Sequence, residues 1–280
     1  MLPGLVIAFA SALCWASVDV LRKVLAMRLP LLGLAVWLNL GSFPVFIAWM
    51  WWAGTPMPLA GYYLPAAASV ACILVTQLLF LTALRISGLS ATIPMLSLSP
   101  AATAIIAWFA LAEAPTPRQA LGLTAIVLGS LLNGVAGSQR LRFDLGALSM
   151  GAAAMLIAAT GVWDKLALRY AEVPTHGAVL TFGSIAGLGT WLALRGRLGD
   201  LAVPPSLRRH LAAAAALIGL AYTLQLFAVQ EVLVALVEGI KRGVGMPAAV
   251  LSGWWLLGEA VPPARLGAIA IIALGMWLLV

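Results

Sequence analysis

The sequence predicts an all-α membrane protein of ten transmembrane helices in two inverted five-helix repeats, and three observations carry that prediction. Of 280 residues, 63% are hydrophobic and 9% charged, against roughly 45–50% and about 25% in soluble domains. Water is therefore not the main solvent. Apolar stretches of the ~17–25 residues that cross a bilayer recur from one end of the chain to the other, and the two halves align on each other.

Taken in order between turn signals, the apolar stretches place helices at 4–27, 31–53, 62–86, 89–112 and 118–137 in the first half. The second half gives 145–170, 175–194, 208–229, 232–257 and 264–280. The longest connection runs from Arg195 to His210, and the others are tight turns with Pro or Gly. The opening stretch, Gly4 to Met27, is too long for a signal-peptide core, so it is expected to remain as the first helix. Cys14 and Cys72 fall inside apolar stretches without metal-ligand spacing and read as buried thiols.

A polar connector, SQRLRFD at 138–144, falls near the middle and separates residues 1–137 from 145–280. Without gaps, ALAEAPTPRQALGLTAIVLGSLL (110–132) lies over LLGEAVPPARLGAIAIIALGMWL (256–278), matching Glu113 with Glu259, Pro117 with Pro263 and Gly129 with Gly275. Five helices is an odd number, so the second copy is expected upside down relative to the first, as in many secondary transporters, with the substrate path between the halves.

The stretch LALRISGLSATIPMLSLSPAATAIIAWFALAEAPTPRQALGLTAIVLG resembles the EamA repeat of the drug/metabolite transporter superfamily. The signature is a Pro-containing helix, an acidic residue at its end, a Pro-bearing turn and a Gly-rich helix. CWASVDVLRK resembles the first helix of that repeat, and WDK (163–165) with GEAVPPARLG (258–267) the second copy. The resemblance implies a transporter and leaves the cargo open, because the superfamily moves amino acids, sugars, nucleotide sugars, organophosphates, cations and drugs.

The net charge of +7 is spread over loop arginines, without the basic runs and interleaved aromatics of nucleic-acid binding. Arg28, Arg85, Arg140, Arg142, Arg195, Arg197, Arg208, Arg209 and Arg265 fall on one side, and Arg118 and Arg169 on the other. The positive-inside rule puts the first side in the cytoplasm and both termini outside. The resemblance implies both termini inside, so orientation is left open. A multi-pass protein of the bacterial inner membrane is expected.

Charges inside a bilayer cost roughly 2.5–3.5 kcal/mol each even on the lenient insertion scale, so they face a cavity or a partner. Three clusters qualify: Asp19 with Arg22 and Lys23, Asp164 with Lys165, and Glu238 with Lys241 and Arg242. In the first and third, an acid precedes two cations at i+3 and i+4, where both can reach it on one helical face. Arg22 and Lys23 also lie near enough to a helix end to snorkel, with Asp19 neutralising them. Lys241 lies roughly 13 Å of rise from its helix start.

The repeat adds a control: the first-half counterparts of Lys241 and Arg242 are Met95 and Leu96, so the scaffold does not require charge there. Lys241 and Arg242 are the candidate anion ligands, a bidentate fork beside a point charge, with Glu238 holding them. Asp19, Lys23, Asp164 and Lys165 are candidate supporting or gating charges, and Asp19, Asp164 and Glu238 candidate proton carriers. The Lys-Arg pair also resembles the penultimate helix of plastid phosphate translocators, which implies an anionic substrate. Gly239, Gly243 and Gly245, with Pro247, allow either close packing or a local helix break.

Trp15 and Trp163, beside the charge clusters, are expected to line the cavity with Tyr222 and Gln77, and Gln225 falls in a flanking helix. Trp49, Trp51 and Trp52 read as interfacial anchors. His176 and His210 stand singly near helix ends, and no nucleophile motif or phosphate-cradling loop occurs. The expected function is therefore transport of a small polar, anionic or zwitterionic metabolite by alternating access, without enzymatic activity or a cofactor. The expected partners are that substrate, the lipid bilayer and either protons or an exchanged solute, with no nucleic acid. Two rivals are a flippase for amphipathic cargo, which predicts a lateral opening, and a non-transporting sensor or assembly subunit.

Overall fold

The computed structural model of the chain describes residues 2–86, 95–137, 144–257 and 261–280, without the side chains of Lys23, Leu81, Leu84, Arg85, Leu256 and Leu257. Ten α-helices run through these residues. They are α1 (Leu2–Ala26), α2 (Leu31–Ala53), α3 (Tyr63–Ile86), α4 (Ser99–Leu111), α5 (Pro117–Gly137), α6 (Leu145–Ala167), α7 (Val173–Leu194), α8 (Arg208–Glu231), α9 (Val234–Leu257) and α10 (Pro263–Leu279). No strand occurs among the described residues. Seven of the helical stretches are long and apolar enough to cross a membrane, and α4 and α10 are shorter apolar helices. Three sequence expectations lie outside the described residues: the start of the fourth helix at Leu89, the connector as far as Phe143, and Glu259.

The fourth helix departs from the continuous stretch expected up to Ala112. Met95 and Leu96 are still helical, Ser97 and Leu98 form a turn closed by Leu98 N to Met95 O at 3.2 Å, and α4 runs on from Ser99. Pro100 explains the break, since its nitrogen has no hydrogen to give Leu96 O, while in the first turn of α4 that loss costs nothing. Met95 and Leu96 are buried in an apolar cluster with Ala83, Met150 and Ala154. Pro247, by contrast, lies within α9 without ending it, so the glycine-flanked stretch of that helix is unbroken.

Lipid gives helices no hydrophobic reason to associate, so packing rests on close approach through small residues and on polar contacts between helices. A Cβ on Gly122 would sit 2.8 Å from Gly275 O, and one on Gly129 would sit 2.9 Å from Ala268 O, so α5 and α10 cross backbone to backbone. Ser11 Oγ donates to Ala221 O and Ser42 Oγ to Ala215 O, each at 3.1 Å, tying α1 and α2 to α8. The main pairings are α1 with α8 and α9, α6 with α3 and α4, α2 with α7, α5 with α10, and α4 with α9. The outer surface is apolar, with Trp51, Trp52, Phe109 and Trp255 exposed, as a bilayer requires.

Within α9, a Cβ at Gly239 would meet Leu123 at 2.6 Å and one at Gly243 would collide with the Met276 sulfur, whereas Gly245 has open space. The first two glycines are packing residues that bring α9 against α5 and α10. The resulting position of α9, also flanked by α1, α4 and α8, puts its charged turn in the interior.

Candidate functional site

Glu238 is 3% exposed, and both of its carboxylate oxygens are engaged. Lys241 Nζ lies 2.6 Å from Oε1, and Ser99 Oγ donates to Oε2 at 3.4 Å. Lys241 also donates to Gln225 Oε1 at 3.3 Å. Arg242 Nε donates to Ser99 Oγ at 3.2 Å. The sequence spacing predicts both cations on the acid. Lys241 reaches it directly, while Arg242 reaches it through a hydroxyl from α4.

An aromatic wall closes one side. Lys241 Nζ lies 5.4 Å and Arg22 Cζ 5.9 Å from the Trp15 ring centre, within cation–π range. Tyr222 meets the same ring edge-on at 4.9 Å. Trp15 Nε1 is buried without a hydrogen-bond partner, which is costly unless something accepts from it. The two amino groups of the Arg242 guanidinium likewise have no acceptor among the described residues. Two helices, α9 and α1, thus supply an ammonium, a guanidinium and an indole N–H around a single buried carboxylate, with Ser99 of α4 and Gln225 and Tyr222 of α8 beside them. That donor set suits the oxygens of an anionic group.

The remaining candidates separate into other places. Asp19 pairs with Arg22 at 3.4 Å, with its side chain 64% exposed, at the edge of the same cluster. The Lys23 side chain lies outside the described residues. Trp163 and Gln77 are half-buried, and among the described residues neither joins the contacts around Lys241. An apolar groove between α9 and α10, lined by Val250, Leu251, Trp254, Val261, Leu266 and Ile269, carries no polar side chain.

Asp164 and Lys165, adjacent in sequence, serve different contacts. Lys165 Nζ pairs with Glu113 Oε1 at 2.5 Å and donates to Val232 O at 2.7 Å, while Glu113 Oε2 accepts from Val234 N at 3.0 Å. This clamp satisfies the C-terminal end of α8 and the N-terminal end of α9 with charges of the appropriate sign. On the other side of α6, Ser69 Oγ donates to Asp164 Oδ1, which also lies 3.1 Å from His176 Nε2. The Tyr62 hydroxyl is 3.1 Å from His176 Nδ1. This corrects the expectation that His176 stands alone: α7 begins with it turned inward, and residues 12 and 114 positions away complete the network.

The sequence reading missed Ser99, the Glu113–Lys165 pair and His176. Ser99 had a local signal, a polar residue before Pro100 in an apolar run. The other pairings join residues far apart in the chain and had none.

These features define a multi-pass helical membrane protein with a charged cluster buried at a four-helix junction. The family model described as the EamA-like transporter family matches residues 2–135. The first half of the chain is thus similar to members of the EamA-like transporter family. No curated protein matches. Among solved proteins, one crystal structure is similar at 19% identity, with a TM-score of 0.79 over 99% of this chain and 96% of that one. At that identity the likeness establishes the fold alone.

Proposed function

We propose that the protein is a secondary-type transporter that moves a small anionic or zwitterionic metabolite by alternating access between two inverted five-helix repeats, 1–137 and 145–280. Lys241 and Arg242 bind the anionic group, with Trp15, Tyr222, Gln225 and Ser99 around it. The observation that carries this reading is the convergence of Lys241, Arg242 and the unpartnered Trp15 Nε1 in the interior of the bundle.

The packing supports the repeat. Exchanging each helix with the one five places on turns α1–α8 into α6–α3 and α1–α9 into α6–α4, both of which occur. The register that matches Glu113 with Glu259 also matches Gly122 with Ala268 and Gly129 with Gly275. The close contacts Gly122–Gly275 and Gly129–Ala268 are therefore each other's image.

A thermal-stabilisation screen of the purified protein over phosphates, carboxylates, amino acids and organic cations tests the reading. The expected result is stabilisation by an anion or zwitterion that Arg242→Gln weakens at least tenfold. Stabilisation by cations, with every anion unaffected by Arg242→Gln, overturns it.

A further inference from the structure

The buried network around Asp164 has no role in the anion site. Asp164 and His176 are 3% and 0% exposed, and Tyr62 and Ser69, which complete the network, are equally enclosed. A solely structural network has no need of two ionisable groups 3.1 Å apart in a bilayer. This one, however, can hold the imidazole at two proton counts. With a neutral imidazole, Nε2–H donates to Asp164 Oδ1 and Nδ1 accepts from the Tyr62 hydroxyl. With one proton more, Nδ1–H donates and the Tyr62 oxygen accepts, because a phenol can do either. The Ser69 hydroxyl donates to the carboxylate in both states.

Other titratable and charged groups surround the network. Cys72 of α3 and Tyr222 of α8 lie within electrostatic reach of Asp164, Tyr63 stands beside Tyr62, and Tyr222 is the ring that meets Trp15. The next residue of α6, Lys165, holds Val232 O and Glu113, and Glu113 holds Val234 N at the start of the helix that carries Lys241. Glu172 precedes α7 and is exposed, and α2, packed against α7, contains no ionisable residue.

We propose that Asp164 and His176 form a proton-binding site, distinct from the anion site, that takes up and releases one proton at His176 Nδ1 while Tyr62 reverses its hydrogen bond. Its use as a coupling site rests on the transport reading, whereas its existence as a proton site does not.

The test is nitrogen NMR of imidazole-labelled, purified full-length protein. The sequence has two histidines, so His210→Asn leaves the His176 ring as the sole imidazole signal. The expected result is a reversible change of ring protonation across a pH series, and a changed profile in the His210→Asn, Asp164→Asn variant, because the imidazole there loses its carboxylate partner. A His176 ring that keeps one protonation state throughout overturns the proposal. So does a transition that Asp164→Asn leaves in place. The anion screen with Arg242→Gln is read independently, so failure of either reading leaves the other standing.

Discussion

Lys165 Nζ lies 2.5 Å from Glu113 Oε1, bridging the end of α4 to α6, while Asp164, its neighbour in sequence, faces away into a separate network. Glu113 is the acid of the repeated Glu-turn-Pro pattern, and this contact gives that pattern a physical purpose: it caps α9 and meets the cation that caps α8.

Breaking the clamp from one side leaves a charge in the interior. Glu113→Gln is expected to lower stability by about 3 kcal/mol, with Lys165→Met comparable and the double variant less than additive. Thermal unfolding in detergent, read as a double-mutant cycle, checks this.

The crossing of α5 and α10 tolerates no side chain at its closest points. Gly275→Val places carbon within 3 Å of Gly122 O and is expected to cost about 1–3 kcal/mol through overpacking. Gly245→Ala enters open space and is expected to leave the melting temperature unchanged or slightly raised, through better helix propensity.

Burial separates two acids with the same i+3 spacing. Asp19→Asn loses an exposed pair and is expected to change stability by less than about 0.5 kcal/mol. Glu238→Ala leaves Lys241 without its ion-pair partner in the interior and is expected to cost about 3–5 kcal/mol. Unfolding curves of the two variants, taken side by side, test the contrast.

Ser99 links Arg242 to Glu238. Ser99→Ala is expected to cost about 1–3 kcal/mol by leaving buried partners unsatisfied, and to weaken binding of the stabilising anion several-fold as Arg242 loses its support. Titration of that anion by thermal shift, in parallel with Arg242→Gln, reads both effects.

The helices were legible because a bilayer demands long apolar stretches, and among the described residues Pro100 made the main change, by interrupting the fourth stretch at Ser97 and Leu98. The i, i+3 contacts Asp19–Arg22 and Glu238–Lys241 were legible too, since helical spacing alone brings them together. Contacts between helices were not. Nothing near Lys165 in sequence points to Glu113, and nothing near His176 points to Tyr62. The expectation that adjacent Asp164 and Lys165 act together also failed to anticipate that successive residues on a helix face different neighbours. The Gly239–Gly243 spacing permitted either packing or a break, and the side chains of Leu123 and Met276 decided it.

The most direct test of the anion site is counterflow of the best-stabilising anion into proteoliposomes containing wild-type protein or Arg242→Gln. The variant keeps Glu238 paired with Lys241 and is expected to remain folded. The account predicts saturable, solute-dependent counterflow by the wild type and a loss of at least tenfold in the variant. Equal counterflow by both proteins, or movement of a cation in its place, would contradict it.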